Sequence, residues 1–294
     1  NDRYPDTDDT AVALIALSFC RHKEEGKRKG VDEAIERAVN WLIAMQSSCG
    51  GWGAFDKDNN KSLLSKIPFC DFGEALDPPS VDVTAHILEA FGLLGLSRDL
   101  PVVQKALAYV RLEQDPQGPW FGRWGVNYLY GTGAVLPALA AIGEDMTQPY
   151  ILKACEWLVS CQQDNGGWGE SCASYMDISS IGRGSTTASQ TAWALMGLIA
   201  VGRPQDHEAI AKGCRFLINR QEADGSWTEE EFTGTGFPGY GVGQTIKLDD
   251  PALSKRLMQG AELSRAFMLR YDMYRQYFPI MALARASRLL TQDI

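Results

Sequence analysis

The sequence predicts an all-α protein in which inner and outer layers of helices form an α/α toroid, or barrel. Three observations lead to this prediction: a motif that occurs four times, a second set of helices that is apolar nearly all round, and the regular alternation of the two sets. The chain has 294 residues, which is enough for a sizeable core. We interpret residues 1–294 as one barrel domain, about one helix pair short of closing.

The repeated motif joins an amphipathic helix to a Gln, then a Gly and a Trp. Its copies span residues 37–52, 105–120, 153–168 and 212–227. The Gly supplies the left-handed turn that ends the helix. The Gln is expected to reach backbone groups at the next helix end, and the Trp to pack over the junction. A structural role for this motif is favoured over a ligand-binding one.

The second set of helices predicts the inner layer. It spans residues 10–19, 81–95, 131–143, 185–202 and 274–287, where apolar and small residues occur on all sides of the helix. Helices of this composition are buried. The loops at one end of such an inner ring are rich in aromatic residues, which a solvated loop does not need. They predict a pocket for a large apolar ligand.

Composition and charge exclude several classes of function. The net charge is −9, and the basic residues cluster only in the short stretch RHKEEGKRK at 21–29, so nucleic acid is not expected as a partner. No apolar run reaches the roughly 20 residues that span a bilayer. The seven cysteines form no CxxC pair, which predicts neither a disulfide framework nor a zinc ribbon.

The segment DTDDTA at 6–11 places Asp6, Asp8 and Asp9 at the expected start of a helix. Two interpretations are open. Aspartates cap helices and favour their first turns. Alternatively, an apolar cavity and the neighbouring negative charges keep one carboxyl protonated, so that it serves as an acid.

Several motifs together resemble one family. The Gln…Gly-x-Trp repeats resemble the QW motifs of triterpene cyclases, and DTDDTA resembles the DxDD acid motif of bacterial squalene–hopene cyclases. The segments DPPSVDVTAHILE, WFGRWGVNYLYGTGAV, STTASQTAWAL and GTGFPG are similar to signature segments of the same family. The resemblance covers residues 1 to about 287. Because members of the family are longer, the chain resembles their carboxy-terminal half, without the amino-terminal barrel domain.

The resemblance implies cyclisation of squalene to hopene and hopanol, with no metal and no organic cofactor. In the family pattern, Asp8 is the proton donor and is flanked by Asp6 and Asp9. His86 would hydrogen-bond the acid, and Asp82, on the same helix face, would fix the imidazole.

The same resemblance implies an aromatic cavity wall that stabilises carbocations through ring faces. Trp124 and Phe237 are expected to line the cavity. Tyr130, Tyr271 and Tyr274 are expected either to line it or to position their neighbours through their hydroxyls. Phe267 matches a further cavity aromatic of the family, and core packing is the alternative for all six.

Three positions bear on substrate and product. Phe55 stands where many relatives have Tyr, so a hydroxyl is absent there. Residues 240–265 look like an inserted loop that could reshape the cavity. Asp9 stands where oxidosqualene cyclases carry Cys, which favours an alkene over an epoxide as the group to be protonated.

Partners and location also follow from the resemblance. Squalene is dissolved in the bilayer, which implies a monotopic or peripheral enzyme on the cytoplasmic face of a bacterial membrane, with a homodimer as the expected assembly.

Three alternative functions stay open. They are an inactive or truncated interaction module, another terpene cyclase with a DxDD acid, and a prenyltransferase β subunit. The last would need zinc held by Asp, Cys and His.

Overall fold

The computed structural model describes residues 4–20, 28–60, 76–175, 177–236 and 267–291. These ranges contain nine α-helices: α1 Thr7–Cys20, α2 Arg28–Met45, α3 Val81–Leu93, α4 Pro101–Leu112, α5 Tyr128–Ala141, α6 Pro149–Ser160, α7 Ala188–Val201, α8 His207–Arg220 and α9 Tyr274–Thr291. Short 3-10 helices at Cys172–Tyr175, Ile178–Ser180 and Pro204–Asp206 lie in the connections. None of the described helices combines the length and apolarity needed to cross a bilayer.

The helices form the two predicted layers. Helices α1, α3, α5, α7 and α9 pack against one another in that order, and α2, α4, α6 and α8 pack outside them. Helices α5 and α7 are buried along most of their length, whereas α4 and α8 bury one face. A helix that is apolar all round gains most when both its sides are covered, so composition decides which layer each helix joins.

A small sheet departs from the all-helical expectation. Strands β1 Gly234–Gly236 and β2 Phe267–Leu269 pair antiparallel, with Gly234 opposite Leu269. The backbone N–H of Thr235 also donates to the carbonyl of Trp124 at 3.2 Å. The sheet is thereby attached to the loop that precedes α5.

The repeated motif has the structural role expected of it. The Gln46 amide donates to the Gly50 carbonyl and to the Val102 carbonyl, in the first turn of α4, each at 2.8 Å. Gln114 and Gln162 make the corresponding contacts to α6 and α8. The indole N–H groups of Trp52, Trp120, Trp168 and Trp227 each donate to a carbonyl ten residues earlier.

The motif also joins the layers. In three copies the backbone N–H of the Trp donates to a threonine hydroxyl on an inner helix, at 3.0 to 3.1 Å. The pairs are Trp52 with Thr84, Trp120 with Thr132, and Trp168 with Thr191. In the fourth copy the acceptor is the side-chain oxygen of Gln276, at 3.2 Å. Each motif therefore fixes the end of an outer helix to the first turns of an inner one, and these turns carry the site.

Buried carboxylates hold the loops at the same end of the barrel. Glu170 accepts the backbone N–H of Leu129, in the first turn of α5, at 2.8 Å. Glu229 accepts that of Ser189, in the first turn of α7, at 3.0 Å. Burial raises the pKa of Glu170 to about 7, although its backbone hydrogen bonds oppose the shift. These negative groups stabilise helix amino termini, and neither lines the cavity described below.

Candidate active site

Asp6 is the cap of α1. Its Oδ1 accepts the backbone N–H groups of Asp8, at 2.7 Å, and Asp9, at 2.9 Å, while the Thr10 hydroxyl donates to its carbonyl at 2.6 Å. Burial raises the pKa of the Asp6 carboxyl to about 6, and the nearby charges of Asp9 and Asp8 add to the effect. The capping interpretation of the acidic segment therefore holds for this residue.

Asp8 has a different environment from Asp6. Its Oδ1 lies 2.6 Å from the Nδ1 of His86, whereas its Oδ2 has no hydrogen-bond partner among the described residues. The side chains are 25 % and 18 % exposed, so the pair borders a space without being immersed in water. The expected contact between His86 and the acid is present in the structure.

The charge of His86 is set by its neighbours. Burial by itself would lower the pKa of the imidazole, but the charge and hydrogen bond of Asp8 outweigh burial. The charges of Glu89 and Asp82 act in the same direction, and the net effect raises the pKa of His86 to about 9. While Asp8 is ionised, the imidazole at neutral pH is therefore an imidazolium that donates its Nδ1 proton to Asp8.

Asp82 does not hold the imidazole, contrary to the sequence-based expectation. Its carboxylate is 1 % exposed and accepts three backbone N–H groups, those of Val83, Arg123 and Trp124. The shared helix face brings its charge near His86, but two of its three hydrogen bonds come from the loop of Arg123 and Trp124, whose backbone donors need acceptors. Asp82 therefore fixes the loop that carries Trp124.

A cavity of about 640 Å³ opens beside the acid. Asp6, Asp8 and Asp9 line its end at α1, and the walls come from α3, α5, α7 and α9. Of the aromatic residues expected in the wall, Trp124, Tyr130, Tyr271 and Tyr274 line the cavity. Phe237 and residues 240–265 lie outside the described residues, and of Phe267 only the backbone, in β2, is described.

Glycines make room for two of these rings. A Cβ at Gly125 would lie 2.5 Å from the Tyr130 ring, and one at Gly234 would overlap the Tyr271 ring. The Tyr271 ring is 4.7 Å from that of Tyr274, and the two planes are tilted by 35°. The motifs that carry these glycines, in WFGRWGV and GTG, therefore set the shape of the wall.

The tyrosine hydroxyls remain neutral in this setting. Burial raises the pKa of Tyr130 well above its ordinary value of 10, and burial also raises that of Tyr274. Tyr130 lies with its ring 6.2 Å from the imidazole of His86, in an edge-to-face arrangement. Neutral phenols beside a carbocation offer ring faces without a strong nucleophile.

Sequence reasoning missed three aromatic residues in the wall: Trp193, Tyr277 and Phe278. Trp193 is 1 % exposed and lies at the centre of the cluster. Its ring is 4.8 Å from that of Tyr130, 5.4 Å from that of Phe278 and 5.9 Å from that of Tyr274. The available signal was a single large aromatic in a helix of small residues, ASQTAWALMG, where a bulky ring needs a space to fill.

Within the described ranges, no group of three His, Cys, Asp or Glu side chains is placed to hold a metal ion. The described residues that line the cavity include carboxyls, the His86 imidazole and aromatic rings.

Comparison with known proteins agrees with the motifs. A family model described as the squalene–hopene cyclase C-terminal domain matches residues 1–248. The chain belongs to the squalene–hopene cyclase family. It therefore carries the carboxy-terminal part of that family, as its motifs predicted.

Individual relatives extend this result. The squalene–hopene cyclase of Alicyclobacillus acidocaldarius is 48 % identical over 99 % of this chain and 41 % of its own length. The enzyme of Zymomonas mobilis is 42 % identical over 98 % of this chain and 40 % of its own length. A dammaradiene synthase of Dryopteris crassirhizoma is 39 % identical over 97 % of this chain and 41 % of its own length. The chain thus spans about two fifths of these relatives.

Solved structures support the fold. The type II terpene cyclase MstE from Scytonema matches with a TM-score of 0.65 and 20 % identity, over 97 % of this chain and 75 % of that one. The ent-copalyl diphosphate synthase from Streptomyces platensis matches with a TM-score of 0.54 and 19 % identity, over 88 % of this chain and 41 % of that one. At this level of identity the likeness concerns the arrangement of helices.

Proposed function

We propose that this chain is the acid-bearing domain of an enzyme that cyclises squalene to hopene and hopanol. The observation that carries the proposal is the pair of Asp8 and His86. One carboxyl oxygen of Asp8 lies 2.6 Å from the Nδ1 of His86, the other has no partner in the described structure, and the residue lines the cavity. The relatives that carry the squalene–hopene cyclase name support the choice of substrate.

The reaction begins with a proton transfer from Asp8 to a terminal alkene carbon. The π electrons form the new C–H bond, Asp8 becomes a carboxylate, and a tertiary carbocation forms on the neighbouring carbon. His86 keeps both its protons and stabilises the new carboxylate by charge and by its Nδ1–H. Ring closures then move the cation along the chain. The final cation either gives a proton to water and becomes hopene, or adds a water molecule that then loses a proton to solvent, which gives hopanol.

The cavity wall suits such cations. Trp124, Tyr130, Trp193 and Tyr274 present aromatic rings, whose faces attract positive charge without forming a bond to it. Asp6 and Asp9 lie at the acid end, where the cation first forms. The proposal therefore separates a charged end that starts the reaction from an aromatic wall that guides it.

A diphosphate substrate, as in other cyclases that use a DxDD acid, fits the site less well. Among the described residues that line the cavity, the cations are His86, which is paired with Asp8, and Arg285, which pairs with Glu89 at 3.2 Å. A diphosphate would meet the carboxyls of Asp6, Asp8 and Asp9 without free positive partners. An apolar polyene does not have this conflict.

An inactive interaction module is the competitor from a different class. A module of that kind would have no use for an imidazole and a carboxyl, one-quarter exposed, that together line an aromatic cavity, since charged groups are costly to desolvate. The site thus favours a catalyst, and the activity assay decides between the two.

The test is to incubate the complete polypeptide encoded by the gene with squalene in mild detergent. Products are identified by gas chromatography–mass spectrometry, with geranylgeranyl diphosphate as the competing substrate. Pentacyclic hopene or hopanol from squalene supports the proposal. Turnover of the diphosphate alone, or of neither substrate, would refute it.

We further propose peripheral or monotopic attachment to the cytoplasmic face of a bacterial membrane, and assembly as a homodimer. The argument for attachment is that squalene is delivered from a bilayer. Co-sedimentation of the complete polypeptide with lipid vesicles tests attachment, and light scattering in detergent tests the dimer. A protein that stays in the supernatant, or that is monomeric, would contradict the respective part.

A further inference from the structure

A second charged pair lines the same cavity as the acid. The Glu89 Oε1 on α3 lies 3.2 Å from the Arg285 Nη2 on α9, and both side chains line the cavity. Their side chains are 13 % and 31 % exposed. Helices α3 and α9 are separated in the inner layer by α5 and α7, so the pair spans the ring. Because desolvating two charges costs about as much as their attraction returns, stability is a weak reason for such a pair.

Glu89 is three residues beyond His86 on α3, which places it one turn further along the same helix face. The Nδ1 of His86 is occupied by Asp8, and its Nε2 has no hydrogen-bond partner among the described residues. Glu89 therefore supplies a further negative charge to the imidazole, from the next turn of the same helix.

The other groups that face His86 come from each helix packed around it. Helix α1 contributes Asp8 with its neighbours Asp6 and Asp9, α3 contributes Asp82 and Glu89, α5 contributes Tyr130, and α9 contributes Tyr274, Tyr277 and Arg285. Helix α7 contributes Trp193, which does not titrate. The tyrosines are neutral at neutral pH because burial raises the pKa of each. The carboxylates therefore set the charge of the imidazole.

We propose that Glu89, paired with Arg285, is a positioning residue for proton transfer that keeps His86 doubly protonated while Asp8 gives up its proton. This inference rests on the proposed function, in which Asp8 is the acid. Among the carboxylates around His86, Asp8 changes charge in the reaction, because it is neutral before proton transfer and negative after it. Glu89 keeps its charge throughout, so the imidazolium has a negative partner at the moment when Asp8 is neutral.

Two properties distinguish Glu89 from a residue that only holds the fold. Its charge is among the causes that raise the pKa of His86 to about 9, after the charge and hydrogen bond of Asp8. Its carboxylate is paired with the Arg285 guanidinium at 3.2 Å beside an apolar space. Removing the charge should therefore act on the imidazole at a distance, with little change in shape.

The experiment is a titration of His86 in the complete polypeptide by nuclear magnetic resonance, with ¹⁵N-labelled histidine side chains. The His86 signals are identified by their loss in His86→Gln. Glu89→Gln keeps the size of the side chain and an acceptor for Arg285, and is expected to lower the midpoint of His86 by about one pH unit. Glu89→Asp keeps the charge and should stay closer to the unchanged protein than Glu89→Gln does.

A matched control is Glu156→Gln on the outer helix α6, where the side chain is exposed and the change in net charge is the same. It should leave the His86 midpoint unchanged. An unmoved midpoint in Glu89→Gln, or an equal shift in Glu156→Gln, would overturn the inference. The titration needs no turnover, so it is decided separately from the assay with squalene.

In the same variants, the alkaline limb of the rate of squalene cyclisation should follow the His86 midpoint. It should move to lower pH in Glu89→Gln and stay near its original position in Glu89→Asp. A purely structural role for Glu89 would lower the rate at every pH and leave the midpoint of the limb where it was.

Discussion

Asp8 and Asp82 occupy the same position on neighbouring inner helices, the second residue of α1 and of α3. Asp82 is 1 % exposed, and its oxygens are occupied by three backbone N–H groups. Asp8 is one-quarter exposed, has His86 on one oxygen and borders the cavity with the other. Helix position thus brings a carboxyl to this end of the barrel, and the number of donors around it decides whether it supports a loop or performs chemistry.

The largest expected effect separates the two carboxyls. Asp8→Asn keeps the side-chain shape and an oxygen for the Nδ1–H of His86, but it removes the transferable proton. We expect the rate of squalene cyclisation to fall by about 10³-fold or more, with little change in the unfolding midpoint. The rate is measured by product formation and the midpoint by circular dichroism. A variant with nearly full activity would disprove the role of Asp8.

Asp82→Asn should have the opposite signature. An amide in place of the Asp82 carboxylate replaces one accepting oxygen with an NH₂ group. At least one of the buried backbone N–H groups that donate to Asp82 then has no acceptor. We expect the free energy of unfolding to fall by about 1 to 3 kcal/mol. The loss is measured by denaturant unfolding. If stability were unchanged while activity disappeared as in Asp8→Asn, Asp82 would belong to the acid and not to the loop.

The aromatic wall gives a smaller effect on rate and a larger one on products. Trp193→Leu removes the ring at the centre of the cluster with Tyr130, Tyr274 and Phe278. We expect partially cyclised products to rise several-fold, because cations along the chain lose a stabilising face worth about 1 kcal/mol. Trp193→Phe, which keeps a ring, is the matched control. An unchanged product profile in Trp193→Leu would limit this residue to packing.

The smallest effect concerns Asp6, which caps α1. Asp6→Ala should lower the free energy of unfolding by about 1 kcal/mol, whereas Asp6→Asn keeps an acceptor and should not.

The pH dependence of stability gives a second test of Asp6. Because the pKa of the Asp6 carboxyl is raised from 3.8 to about 6, the folded protein binds the carboxyl proton more tightly than the unfolded chain does. Stability should therefore decline as the pH rises from about 4 to 6, and this decline should be absent in Asp6→Asn. A decline of equal size in Asp6→Asn would assign it to other groups.

The sequence predicted the layers and the family because both depend on local pattern. Periodicity assigned each helix to a layer, and the repeated Gln and Trp make the contacts expected of them. The contact of His86 with Asp8 came from the family motif, since 78 positions separate the two residues and no local spacing predicts that.

Other features depend on loops meeting in space. Two of the three hydrogen bonds of Asp82 involve residues 123–124, about forty positions away, and helix spacing pointed only to His86. Trp193 lay in a helix read as buried, and burial alone does not say which buried ring faces a cavity. The pair of Glu89 and Arg285 joins residues 196 positions apart, so it appears only when α3 and α9 are placed in one ring.

The most direct test of the central claim follows the proton. The complete polypeptide is equilibrated in D₂O, where the acidic proton of Asp8 exchanges, and squalene is added. We predict that each hopene molecule gains one non-exchangeable deuterium, at the ring carbon that derives from the protonated carbon of the terminal alkene. Mass spectrometry and NMR locate the label. Asp8→Asn should form no labelled product. Hopene without deuterium at that carbon, or labelled hopene from Asp8→Asn at the normal rate, would contradict it.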